Sequence, residues 1–202
     1  MAVGLGFGLV MSLVSNAFVA GVLWLTSLRE RQLASWLGLD PTMAAMLPLI
    51  CLLVAAFLIL QVRRLFVIAR WHGPADSIFA AHRTDNELDI RSGFGSTIAA
   101  LISAGGGASV GQYGPLVHFG ATMGSAFRTL TGGRLTTDVF IGCGVAGAIA
   151  AGFNAPIAGV VFAHEAILRH FSMRAIAPIA IASISSSWFS QQIFGADPLL
   201  DF

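Results

Sequence analysis

Apolar positions along this chain fall into two long unbroken runs followed by several shorter ones cut by glycine and proline. "VGLGFGLVMSLVSNAFVAGVLWLTSL" (residues 3–28) carries no charge and stops at Arg29, Glu30 and Arg31. "MAAMLPLICLLVAAFLILQV" (43–62) is the second, closed by Arg63 and Arg64 with Arg70 further on. About 20 apolar residues cross a hydrocarbon core as a helix, so each run predicts a spanning helix. The first run has no basic residues before it and exceeds the ~7–15 residues of a leader's apolar centre, so it reads as a span rather than a cleaved leader.

The later runs are different. "HGPADSIFAAH" (72–82) predicts a short helix with Pro74 in its first turn, where a missing N–H costs nothing. "RTDNELDIR" (83–91) is a charged loop. After it come "SGFGSTIAALISAGGGASV" (92–110), "GPLVHFGATMGSAFRTL" (114–130), "TTDVFIGCGVAGAIAAGF" (136–153), "PIAGVVFAHEAILRHF" (156–171) and "MRAIAPIAIASISSSWFSQQIF" (173–194). Several are too short to span alone. Pro74, Pro115 and Pro156 each open a helix after a turn of small residues. Backbone breaks at membrane depth survive only where protein or water surrounds them. Half-helix starts turn the positive end of the helix dipole toward an anion. Two readings stay open from the residues alone: an anion path, or ordinary helix punctuation in a large membrane protein.

Composition agrees with a membrane setting. The 202 residues are 56% hydrophobic and 10% charged, against about 25% charged in soluble domains. The fold class expected is therefore all-α: a polytopic bundle with short broken helices. Arginine supplies every basic residue, and its placement puts the N-terminus and 63–72 inside and 29–42 outside. A net charge of +1 gives no footprint for nucleic acid. No nucleophile–base pair and no metal-ligand spacing occurs among His72, His82, His118, His164 and His170. Neither an enzyme nor a cofactor or metal is expected. Cys51 and Cys143 lie in separate apolar runs and read as buried free thiols.

Two segments carry a family likeness. "GQYGP" (111–115), continued by "LVHFGATMGS", resembles the G-[RK]-E-G-P element of the CLC chloride channels and chloride/proton antiporters. "GCGVAGAIAAGFNAPIAGVVFAHE" (142–165) is similar to that family's small-residue helix, its Phe-Asn-Ala-Pro turn and the helix that follows. "GPADSI" (73–78) stands, by position, where the G-S-G-I-P element would be. The resemblance runs from about residue 3 to the end and matches the first of the two inverted repeats of a CLC subunit. The second repeat, with its G-x-F-x-P element and site tyrosine, is not in the sequence. The expectation is one transmembrane domain over 1–202, read as a truncated or partial chain.

The resemblance implies a site. Gly73, Pro74, Ala75, Asp76 and Ser77 would form the inner anion-facing turn, with Asp76 either repelling the anion or capping its own helix. Gly111, Gln112, Tyr113, Gly114 and Pro115 would form the second, Gln112 replacing the usual basic residue. Tyr113 stands at the gating glutamate. A phenol does not ionise where a carboxylate does, so Tyr113 would donate its O–H to an anion, plug the path, or simply fill space. The internal proton-transfer glutamate falls at Ala166, beside Glu165. Glu165 and His164 are proton-handling candidates, and Arg169 offers Glu165 an i,i+4 ion pair instead. His118 reads as packing. The glycines 105–107 and the small residues 144–152 read as close helix contacts. The function implied is passive or uncoupled movement of chloride or another small anion. The rivals are an antiporter using Glu165 or His164 and a non-conducting assembly subunit. Membrane lipid, a homodimer through 156–192 and the cell's inner membrane complete the expectation.

Overall fold

The computed structural model describes residues 2–29, 33–36, 38, 40, 46–83, 88–111, 113–131 and 135–195. Among them the chain is helical, without a strand. The helices are α1 (Ala2–Ser27), α2 (Leu33–Trp36), α3 (Leu47–Leu65), α4 (Pro74–His82), α5 (Ile90–Gly105), α6 (Tyr113–Thr131), α7 (Thr137–Phe153), α8 (Pro156–Phe162) and α9 (Met173–Phe194). A π-helical turn, Ala163–Leu168, continues α8. The stretch 92–110 ends earlier than its apolar pattern suggests. Gly106 closes α5, and Gly107 takes a φ of +105° that a side chain would resist. The start of α6 precedes Pro115 by two residues; the proline sits in the first turn, where its missing N–H has no partner to lose.

α7 is the hub. It is apolar around its whole circumference, and from Val139 to Gly152 every residue is buried. A helix of that pattern needs neighbours on all sides; α1, α6, α8 and α9 supply them. Glycine makes the closest crossing. A Cβ at Gly120 would lie 2.5 Å from the Gly144 carbonyl oxygen, and one at Gly144 would collide with the Gly120 carbonyl in return. Small residues at helix contacts let backbones touch, so residues 144–152 do what their size implies. Gly105 and Gly106 do the same at the end of α5: their Cβ atoms would stand 2.5 Å from Leu25 and Ala55.

α9 turns its hydroxyls inward. Ser186 Oγ donates to Gly147 O (2.8 Å) and Ser183 Oγ to Pro156 O (2.7 Å). Ile184 and Trp188 point outward on the same helix. "SISSSW" is therefore an intrasubunit seam on its serine side. Among the described residues, α1 and α3 are the helices long and apolar enough to cross a membrane. α3 leaves Leu53 64% and Phe57 58% exposed, a face that suits lipid and not water. Cys143 is buried as expected, but Cys51 is half-buried, since it sits on this same thinly covered helix.

α5 has a working N-cap. Asp89 accepts from Ser92 Oγ (2.5 Å) and Ser92 N–H (3.2 Å), and the Ser92 hydroxyl holds its carboxyl below the usual carboxylate range. Because the folded value is depressed, the cap stabilises the fold above the ordinary carboxylate range and fades as pH falls through the folded value. Asp89→Ala should cost about 1 kcal/mol at neutral pH. Melting curves of both proteins should converge in acid.

Candidate anion-binding site

Three helix starts meet at one cleft. α4 begins at Pro74 after an extended Gly73. α6 begins at Tyr113, preceded by Gly111 at φ +70°. α8 begins at Pro156, and the chain reverses into it through Asn154 at φ +52°. Pro74, Tyr113, Gly114, Phe153, Ala155 and Ala158 line a cleft of ≈ 440 Å³ between them. A Cβ at Gly114 would meet Pro74 at 3.7 Å, ordinary van der Waals contact, so these two starts lie side by side. The lining is otherwise apolar.

Tyr113 stacks on Phe153, with ring centroids 3.9 Å apart and planes 24° apart. Its hydroxyl is buried and has no hydrogen-bond partner among the described residues. A buried, unpaired O–H costs ~1–3 kcal/mol; a bound anion or water would recover it.

Asp76 is a cap. Its Oδ2 accepts the Gly73 N–H at 2.8 Å, and Arg70 donates to Oδ1 at 2.5 Å. Burial alone would raise its pKa, but the Gly73 N–H and the Arg70 guanidinium outweigh it and hold the carboxyl below the usual range. Ser77 is not part of the cleft lining: its Oγ meets His118 Nδ1 at 2.8 Å, both groups fully buried. Gly73 is half-buried, Ala75 and Gly111 are exposed, and Pro115 is half-buried in the first turn of α6. Gln112 lies outside the described residues. On the Asp76 side, a second cavity of ≈ 550 Å³ is lined by Arg70, His72, Asp89 and Arg128, among others.

Glu165, His164 and Arg169 lie elsewhere. Glu165 is nine residues beyond Pro156, ~13 Å along a helix axis. Glu165 and Arg169 are exposed and make no ion pair among the described residues. The π-helical turn, wider than an α-turn, and the left-handed backbone of Arg169 (φ +54°) move them out of i,i+4 register. His164 is buried, stacked on Phe171 at 4.9 Å, with Nδ1 3.2 Å from His170 O.

The cleft also depends on residues the motifs did not single out. Asn154 Oδ1 accepts from Ser187 Oγ (2.8 Å) and Gln191 Nε2 (2.5 Å). These two bonds fix the turn that aims α8. Asparagine before Ala-Pro was the available signal, since Asn tolerates left-handed backbone.

The model of the voltage gated chloride channel family matches residues 51–202. The voltage-gated ClC-type chloride channel ClcB of Escherichia coli O81 (strain ED1a) is 28% identical over 147 residues, 73% of this chain and 35% of that protein. ClcB of Shigella boydii serotype 18 (strain CDC 3083-94 / BS512) shows the same identity and coverage. The crystal structure of a slow cyanobacterial Cl⁻/H⁺ antiporter superposes with a TM-score of 0.77 at 20% identity, over 98% of this chain and 47% of that one. A CLC-type fluoride/proton antiporter gives 0.70 at 22% identity, over 95% and 46%. This chain thus spans about a third of the curated relatives (35%) and just under half of the solved structures (47% and 46%). The long buried small-residue helix, the broken helix starts and the family match over 51–202 converge: the chain belongs to the voltage gated chloride channel family.

Proposed function

We propose that this chain contributes half of a chloride pathway through the cell's inner membrane, and that passage is uncoupled from proton exchange. The observation that carries the reading is the convergence of the α4, α6 and α8 starts on the cleft beside the unpartnered Tyr113 hydroxyl. A small anion there would meet the positive dipole ends of α6 and α8 and a donor O–H, the start of α4 being capped by its own Asp76. No covalent chemistry is involved. Position 113 holds a phenol and position 166 an alanine, so neither can carry a proton as a carboxylate does. The open side of the cleft calls for a second half, either further along a longer polypeptide or on another chain. The exposed Ile157, Ile184 and Trp188 offer an apolar face for a homodimer through 156–192.

Liposomes loaded with chloride and carrying this protein, with external pH recorded in the same vessel, test the reading. Chloride efflux without pH change is expected. Proton movement in fixed ratio to chloride would favour exchange through Glu165 or His164. Absence of efflux, alone and with the second half supplied, would leave an assembly role.

A further inference from the structure

We propose that His118 is the proton-binding group of this anion site, and that its protonation and anion binding strengthen each other. The inference rests on the cleft being an anion site and adds its regulation.

His118 sits one helical turn beyond Gly114, and its partner Ser77 about one turn beyond Pro74, both of which line the cleft, so the pair lies one turn deeper than the lining. It is 1% exposed. Nδ1 is 2.8 Å from Ser77 Oγ, while Nε2 is buried without a partner among the described residues. The His72 ring stands edge-on, 6.0 Å between centroids, and its Nδ1 is likewise unpartnered. A neutral imidazole has one donor and one acceptor; the cation has two donors. With Nδ1 accepting, the Ser77 hydroxyl hydrogen is held by His118. With both nitrogens protonated, Nδ1–H donates to Ser77 Oγ instead. The Ser77 O–H is then released to donate elsewhere in the first turn of α4, whose N-terminus borders the cleft. The new positive charge, in a dry site, attracts the anion directly. The anion in turn supplies the counter-charge that a buried imidazolium lacks. Linkage makes the effect reciprocal: a proton that tightens anion binding is itself tightened by the anion.

The surrounding charges leave this role to His118. From the α4 side, Asp76 is tied to Arg70 and Gly73, and His82 Nδ1 is bonded to Ile78 O. α5 brings Arg91, which donates to Leu65 O, and Asp89, which caps the helix. α7 brings Asp138, near the Gly124–Phe140 crossing beyond Thr122, and Cys143, buried in the cluster with Phe7 and Met11. α1 has no titratable side chain between Ala2 and Ser27. On α6 itself, Arg128 lies toward the far end and Tyr113 in the cleft. His72 is the other neighbouring imidazole, and the experiment separates the two. With no acid at 113 or 166 to pass the proton on, the proton regulates occupancy and is not exchanged for the anion.

Chloride binding to the purified protein, measured by titration calorimetry from about pH 7.5 to about 4.5 in two buffers of different ionisation enthalpy, tests this. The expected result is a chloride Kd that tightens toward acid by up to ~10-fold per pH unit, with a fraction of a proton taken up per chloride. His118→Gln should keep chloride binding and lose both the pH slope and the proton uptake. A pH-independent Kd in the wild-type protein would overturn the inference and leave the anion site standing. So would a slope that survives His118→Gln and disappears in His72→Gln. No chloride binding at any pH would overturn the anion site itself, and this inference with it.

Discussion

Gly144→Val should abolish recovery of folded protein. The obstruction is backbone. A Cβ at Gly144 collides with the Gly120 carbonyl oxygen and would lie 2.7 Å from the carbonyl carbon and 3.3 Å from Gly124 N. No rotamer change can relieve a clash with a main chain, so α6 and α7 must separate. Overpacking of a core commonly costs ~1–3 kcal/mol and sometimes more, against a typical total of about 5–15 kcal/mol. Here the cost falls on the crossing that holds α7, the helix on which α1, α6, α8 and α9 all pack. Gly6→Val is the control: nothing lies within 4 Å of a Cβ there. Size-exclusion chromatography in detergent should show a monodisperse peak for Gly6→Val and aggregate for Gly144→Val. Equal yields would mean that the close crossing is dispensable.

Tyr113→Glu should close the pathway near neutral pH and make efflux acid-activated, over and above the pH dependence of the wild-type protein. The phenol stacks on Phe153 at the mouth of an apolar cleft ringed by helix starts. An ionised carboxylate placed there would be drawn to the same positive dipole ends as the anion and would compete with it. Protonation would remove the competitor. Chloride efflux should fall by about tenfold or more near neutral pH, given that a difference of ~1.4 kcal/mol is already tenfold, and recover as the acid protonates. Tyr113→Phe separates the roles of ring and hydroxyl. Retained stacking with reduced chloride binding would assign the O–H to the anion; unchanged binding would assign Tyr113 to packing. Efflux from Tyr113→Glu that varies with pH no more than wild-type efflux would contradict its placement on the path.

Much of this arrangement is legible from residue order. Long charge-free runs define α1 and α3, and proline after a small residue marks the starts of α4 and α8. Their convergence was suggested by the family likeness, because "GQYGP" and "FNAP" are far apart in sequence and meet only through packing on α7. Side-chain direction was not legible. Ser77 belongs to the turn the likeness marks as anion-facing but lies a few residues late for the family's serine, and the helical turn sets its hydroxyl against His118. His118 looked like filler, because nothing local shows that α4 places a hydroxyl against it. The Glu165–Arg169 pair was a sound reading for an α-helix and is absent because the helix widens into a π-turn there. The composition of "SISSSW" (183–188) does not decide between an outer contact and packing within the subunit; carbonyls of glycine-rich α7 and of Pro156 take its serine hydroxyls.

The central claim is that a small anion sits where α4, α6 and α8 begin. Crystals of this protein grown in bromide would test it most directly, through the anomalous scattering of the ion. A peak is expected in the cleft, within contact of the Pro74, Gly114 and Ala155 backbones and the Tyr113 hydroxyl. An empty cleft, or a peak only at the surface arginines, would contradict it.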